Sequence, residues 1–295
     1  MSYEDRPAFR IIGLSGVVIF LWGVTAWLRM LAGSVPPLEL TGIALIGAAL
    51  SSCLLTGPRG ATWSAIRRHP WYAWLTVGAG LVGGAAFYFA ALTYAPAAQV
   101  VVITYSWPLL FAIASDVYSH RRPAPLTFVS LFVGLAGVGV MHGTTAAPSA
   151  DAWLGYVYAL ASGLCWVAYS LFVQVYSRPI ASAYPAFFAV GAVAALLLQA
   201  ATGGLVWPGS TGAWTASIIL GIGPYGLGFL AWGYVVRHGN PRIVPVLPYA
   251  VPAVAAITLV LVGRVQPTLT LWAGCALVIM ACVASMRTRR HAGRV

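Results

Sequence analysis

The sequence predicts an all-α membrane protein of ten transmembrane helices, laid out as two inverted five-helix repeats. Three observations carry this. First, 60% of the 295 residues are hydrophobic, only 7% are charged, and mean hydropathy is +0.87. A water-facing surface needs about a quarter of its residues charged, so lipid surrounds most of this chain. Second, apolar runs of about 20 residues, enough to cross a hydrocarbon core of about 30 Å, recur ten times. Third, the chain aligns with itself at one constant offset.

Cutting at charged, Pro and Gly clusters places the spans at 11–32, 38–56, 71–92, 97–118, 124–142, 153–176, 184–202, 213–236, 243–262 and 268–286. Pro70 marks a helix start with Trp71 and Trp74 just inside, where amphipathic aromatics prefer to sit. The first run, Ile11 to Leu31, is too long for the apolar region of a signal peptide, and Glu4 and Asp5 precede Arg6. It is read as a retained helix. All sixteen basic residues are Arg. Arg6, Arg10, Arg59, Arg67, Arg68, Arg121, Arg122, Arg178, Arg237, Arg242, Arg287, Arg289, Arg290 and Arg294 fall on one side of this layout, and only Arg29 and Arg264 on the other. The positive-inside rule then puts both termini in the cytoplasm.

Sliding the sequence by 144 residues matches the halves without a gap. Trp22 meets Trp166, Gly47 meets Gly191, Gly84 meets Gly228, Tyr105 meets Tyr249, Pro108 meets Pro252 and Pro123 meets Pro267. Tyr88 falls on Trp232. Matched Trp, Tyr and Pro are rarely accidental. The expected units are 1–145 and 146–295. Each holds an odd number of spans, so the second enters the membrane upside down, the architecture of secondary transporters with a site between the repeats.

Several function classes drop out. The net charge of +11 sits in short inter-span clusters, which reads as cytoplasmic loops and not as a nucleic-acid groove. Without Lys there is no Schiff base, lysine nucleophile or phosphate-loop lysine. Cys53, Cys165, Cys275 and Cys282 all lie in apolar runs without metal-ligand spacing and read as packing residues. No nucleophile–base pair, metal cluster or paired aspartates occupy the spans, so neither enzyme activity nor a metal or cofactor is expected.

What remains is aromatic. Trp22, Tyr88, Tyr105, Trp107, Trp166, Tyr169, Tyr225, Trp232 and Tyr249 lie within spans, not in interfacial belts. Gly84 and Tyr88 share a helix face, as do Gly228 and Trp232, and a small residue beside an aromatic can line a cavity. Plain core packing is the competing reading for each. Pro108 and Pro252 hold equivalent mid-span positions, and each would free a carbonyl and offer a hinge. Pro224, Pro245 and Pro248 add further breaks. Ionisable groups are read as interfacial or solvated: Glu39, Asp116, Asp151, Arg29, Arg264, His69, His120, His142, His238 and His291, with Arg29 or Asp116 a gate candidate.

Leu21-Trp22-Gly23 in the first span, together with ten spans in a five-plus-five repeat, resembles the EamA branch of the drug/metabolite transporter superfamily. Tyr105-Ser106-Trp107-Pro108, Trp166-Val167-Ala168-Tyr169, Ala231-Trp232, His238-Gly239-Asn240, and Tyr249 with Pro252 are similar to segments of YddG-type amino-acid exporters. Pro248 departs from a small hydroxyl residue common in relatives. The resemblance implies export of aromatic and other mostly neutral amino acids across a bacterial inner membrane by rocking of the halves. The implied site is Trp22, Tyr88, Tyr105, Trp107, Trp166, Tyr169, Trp232 and Tyr249. An aromatic, uncharged passage would bury an apolar side chain and meet an ammonium by cation–π contact. The expected partners are small-molecule amino acids and the bilayer, with the chain working as a monomer. Export of aromatic or cationic drugs is the alternative; such cargo usually wants a buried carboxylate.

Overall fold

The computed structural model describes residues 5–56, 67–119, 125–142, 151–178, 180–241 and 243–291. Glu4, Arg59, His120, Arg121, Arg122, Pro123, Arg242, Arg294 and the 145/146 boundary lie outside the described residues. All the regular structure described is helical. The segments are α1 (Arg10–Leu31), α2 (Pro37–Thr56), α3 (Trp71–Tyr94), α4 (Gln99–Tyr118), α5 (Pro125–His142), α6 (Ala152–Val175), α7 (Ala181–Thr202), α8 (Thr211–His238), α9 (Val244–Leu261) and α10 (Leu269–His291). Eight of these are long and apolar enough to cross a membrane, whereas α5 and α10 contribute shorter apolar stretches, Pro125–Met141 and Leu269–Ala284. Leu54, 88% exposed, and Leu269, 86% exposed, typify an outer surface that only lipid would solvate.

Local chemistry sets the ends. Pro37 and Pro125 begin their helices, where a missing N–H costs nothing. The Ser210 hydroxyl accepts the Ala213 N–H at 3.1 Å and caps α8. Gly33, Gly204 and Gly263, at φ 70°, 72° and 69°, turn the chain out of α1, α7 and α9 in a conformation that a Cβ disfavours.

Helix interiors depart from ideal geometry at several places, some of them at the expected proline breaks. Regular helix in α1 stops at Gly23 and resumes at Thr25. In α4 it stops at Thr104 and resumes at Trp107. Both α3 and α8 open into wide π turns, Ala79–Gly83 and Gly221–Leu227, whose positions correspond across the 144-residue repeat. A 3-10 segment, Val244–Tyr249, starts α9.

Packing is dominated by contacts between the two halves. α5 lies on α10, α2 on α7, α3 and α4 on α6, and α1 on α8 and α9. Adding or subtracting five turns each pair into itself or into another of these pairs. Neither half therefore has a core of its own.

Two ionisable groups expected at solvated positions are instead buried. Glu39, in the first turn of α2, has no exposed surface, and its carboxylate accepts the N–H groups of Val206 at 2.8 Å and Trp207 at 2.5 Å. Trp207 is held at φ 49°, a non-glycine residue in the left-handed region, so two charge-assisted bonds stabilise a strained turn. The clamp joins α2 to the connection after α7. At the opposite end, His69 is 9% exposed and its Nδ1 lies 3.1 Å from the Tyr176 hydroxyl. Beside it, Arg178 donates to the Arg68 carbonyl at 2.5 Å, and Arg237 donates to the carbonyls of Arg178 and Ser177, both at 3.0 Å. The segments before α3, after α6 and at the end of α8 are thus tied in series.

Glu39→Gln keeps the size but loses the charge and one acceptor, and is expected to cost about 2 kcal/mol, read as a lower unfolding midpoint in detergent. Burial, then Arg178, then Arg68 hold the His69 imidazole below its ordinary value of 6.5. The unfolded chain then takes up that proton first as pH falls. This contribution is complete above pH 6.5 and declines as pH drops from there through the lowered folded value. Thermal unfolding from pH 8 to 5 checks it, with His69→Phe expected to flatten the decline.

Candidate functional site

The reciprocal packing brings two glycine notches against two tryptophans. A Cβ on Gly84 of α3 would stand 2.8 Å from the Trp166 ring of α6, and a Cβ on Gly228 of α8 would stand 2.9 Å from Trp22 Nε1 of α1. Gly84 pairs with Gly228, and Trp166 with Trp22, at the 144-residue offset. One contact is the mirror of the other. In each case the glycine directly follows the π turn of its helix. The π turn shifts the register of backbone hydrogen bonds, and in α8 the Pro224 carbonyl accepts the Trp22 indole N–H at 3.1 Å.

Phe229, beside Gly228, is the centre of the resulting aromatic cluster. Its ring lies 5.4 Å from Trp166, stacked, 5.4 Å from Tyr169 and 5.7 Å from Trp22, the last two edge-on. Tyr225 stands 5.7 Å away. Trp232, one turn further along α8, lies 5.5 Å from Trp22 and 5.9 Å from Trp107. Such pairs are worth about 0.5–1.5 kcal/mol each beyond the area they bury. The cluster draws on α1, α4, α6 and α8, from both halves.

Five expected site residues, Trp22, Trp107, Trp166, Tyr169 and Trp232, thus come together. Within the group, some polar atoms are already used. Trp232 donates to the Ser170 hydroxyl at 3.1 Å, and the Tyr169 and Tyr184 hydroxyls share a hydrogen bond. Tyr169 and Trp232 are almost fully buried and frame the site from behind, whereas Trp22 and Trp166 keep accessible surface.

Tyr88 stands at a special position. It is partly exposed, yet packs against all three apolar clusters of the protein. Tyr105, also partly exposed, packs with Tyr88 against the second cluster. Tyr249 is different. Although it is the repeat partner of Tyr105, it has no exposed surface and belongs to the second cluster. Its ring fills the notch at Gly134, where a Cβ would stand 2.7 Å away. In this conformation it packs α5 to α9.

Pro224 lies inside the π turn of α8, and Pro245 and Pro248 inside the 3-10 segment of α9, whereas Pro108 and Pro252 do not sit at the breaks themselves. Pro108 sits in the first turn of the second α4 segment, Trp107–Tyr118, so the interruption lies before it at Tyr105 and Ser106. Pro252 is the third residue of the regular helix Ala250–Leu261, after the 3-10 segment. The α4 interruption leaves the Thr104 carbonyl facing Gly163, with 3.2 Å to a Cβ placed there.

Phe229, Ser170 and Tyr184 were not among the expected site residues. Phe229 falls on Ala85 at the repeat offset, so symmetry gave it no emphasis; its position one residue past the matched Gly228 was the available signal. Among the described residues no three His, Cys, Asp or Glu side chains gather as a metal site.

The family model described as EamA-like transporter family matches this chain twice, over residues 9–142 and 153–287. An aromatic amino acid exporter, YddG, of Ancylobacter novellus is 32% identical over 97% of this chain and all of its own length. The protein of the same name from Salmonella typhimurium is 25% identical, covering 66% of this chain and 68% of its own. A solved crystal structure superposes with a TM-score of 0.84 at 30% identity, over 94% of this chain and 97% of the other. The chain belongs to the EamA-like transporter family and is a multi-pass membrane transporter, not an enzyme.

Proposed function

We propose that this protein is a secondary exporter of aromatic and other mostly neutral amino acids or related metabolites across a bacterial inner membrane. It works by alternating access: ten helices cross the bilayer as two inverted repeats, 1–145 and 146–295, with both termini cytoplasmic. One observation carries the reading most of the weight: an aromatic cluster drawn from both halves, bordered by the partly exposed Tyr88, with no carboxylate or metal cluster in it among the described residues. Apolar cargo is solvated there by burial and ring contact. Its likeness to exporters named for aromatic amino acids supports the same cargo.

Reciprocal contacts of the two halves support the rocking motion. A pseudo-symmetric pair of repeats has two related packings of similar energy, and exchanging them moves the opening from one face to the other. The breaks before Pro108 and Pro252 are the hinge points of this cycle. Cationic drugs are disfavoured as cargo, because the buried carboxylate of Glu39 has both oxygens engaged by backbone N–H groups.

In proteoliposomes, Trp166→Ala and Trp232→Ala are expected to lower phenylalanine and tryptophan flux at least tenfold while expression persists; unchanged flux in both removes the cluster from the transport path. Gly84→Leu and Gly228→Leu would drive a side chain into Trp166 and Trp22 respectively, and are expected to abolish flux and lower the yield of folded protein on gel filtration.

A further inference from the structure

At one end of the bundle four arginines are gathered, tied to backbone and to a ring and not to acids. Arg178, just past α6, donates to the carbonyl of Arg68, ahead of α3, at 2.5 Å. Arg237, in the last turn of α8, donates to the carbonyls of Arg178 and Ser177, both at 3.0 Å. Arg10, at the start of α1, lies 4.5 Å from the centre of the Tyr234 ring, one turn before Arg237. Among the described residues no carboxylate contacts any of the four, and the exposed Arg68 side chain has no partner. A guanidinium carries five N–H donors, of which Arg178 spends one here and Arg237 two. Like charges gathered in this way repel one another unless an anion lies among them.

These cations stand at the head of an apolar track. His69, next to Arg68, meets the Tyr176 hydroxyl at 3.1 Å, and the Tyr176 ring stacks on Phe172 at 4.6 Å. Phe172 in turn meets Tyr72 of α3 at 6.5 Å, edge-on. The outer side of α3 begins there: Trp71 is 75% exposed, Tyr72 47% and Leu75 63%. In a membrane transporter that surface faces lipid, and Trp and Tyr at a helix end mark the depth of the headgroups. Along this stretch the chain therefore passes from cation to aromatic to aliphatic, from Arg68 through Trp71 and Tyr72 to Leu75. A phospholipid presents phosphate, glycerol and acyl chain in the same order.

We infer that Arg68, Arg178 and Arg237, with Arg10 at the rim, form a headgroup site for an anionic phospholipid, whose acyl chain runs down the seam of α3 and α6 past Tyr72, Phe172 and Leu75. The guanidinium fork matches phosphate oxygens two at a time, and basic residues at headgroup depth are what holds anionic lipids on membrane proteins. A second copy of this chain is a poorer occupant, because a two-fold contact here would set one group of arginines against its double. Arg68 belongs to the first half and Arg178 and Arg237 to the second, so a bound lipid fastens the halves at this end. No residue of the Phe229 cluster takes part, and the site is independent of what the cargo is.

The test titrates the purified full chain, in uncharged detergent, with one of three probes and reads the rise in unfolding midpoint. The probes are dioleoyl phosphatidylglycerol, dioleoyl phosphatidylcholine, which has the same chains and phosphate but no net charge, and inorganic phosphate. The expected result is that phosphatidylglycerol raises the midpoint and the other two, at equal concentration, do not. Arg68→Gln removes a charge and leaves in place the carbonyl that Arg178 uses. It is expected to keep the lipid-free midpoint and to weaken phosphatidylglycerol about fivefold. Arg264→Gln, beyond the far end of α9, is expected to bind phosphatidylglycerol as the unaltered protein does. Equal stabilisation by phosphatidylcholine overturns the site, since the arginines then select nothing. Equal stabilisation by inorganic phosphate overturns it in favour of a free anion. Unchanged affinity in Arg68→Gln, or an equal loss in Arg264→Gln, overturns it in favour of diffuse attraction to the whole chain.

Discussion

The close approach of a tryptophan to a glycine, made twice across the two halves, is the contact on which the rest of the architecture depends. Lipid offers no hydrophobic drive for helices to leave it, so they associate through van der Waals packing and a few hydrogen bonds, and small residues allow backbones to come near. Gly84 gives Trp166 room on α3, and Gly228 gives Trp22 room on α8. A methyl group at either position would push apart helices belonging to different halves. The same logic extends outward, with Gly47 meeting the backbone of Gly221, Gly155 meeting Ala95, and Gly137 meeting the Gly274 carbonyl. Because the halves are sewn together by such contacts, a change of packing in one is felt by the other.

Tight packing alone would give a closed bundle. The π turns in α3 and α8 oppose that outcome, since each interrupts the regular backbone ladder in the apolar interior. In hydrocarbon an unsatisfied carbonyl is costly, and irregular backbone survives only against protein or a water-filled space. In α8 the Trp22 indole meets this need at the Pro224 carbonyl. In α3 the corresponding position is Gly80, against which the Tyr169 ring packs instead. The mirror-related sites are therefore equivalent in placement and different in chemistry.

Much of this was legible in the sequence, and the residues show why. Apolar length located eight spans to within a few residues, because a span is counted against a fixed thickness of hydrocarbon, while α5 and α10 proved to carry shorter apolar stretches. The constant offset identified Trp22, Trp166, Gly84 and Gly228 as special, and they proved to face one another. What the sequence did not disclose depends on geometry that periodicity cannot express. A π turn adds one residue to a helix without altering composition. Glu39 looks interfacial by position, and only the fold brings Val206 and Trp207 over it. Phe229 is invisible to the repeat because its mate is Ala85. Tyr249 shows a further limit: the repeat matches it to Tyr105, yet it is buried against Gly134 whereas Tyr105 is partly exposed.

The uncharged character of the cluster has an energetic consequence for a transporter. A site built around a fixed ion must be resolvated each time the passage opens, and a pair of buried ions repays its desolvation only when its geometry is excellent. A site of phenols and indoles costs less to expose, since each O–H or N–H exchanges one hydrogen bond to cargo for one to water at a net difference of about 1 kcal/mol. The permanently engaged charges sit at the ends: Glu39 clamps one face, and Arg178 with Arg237 ties the other. Strong interactions thus hold the two ends of the frame, and weaker ring contacts join the halves between them.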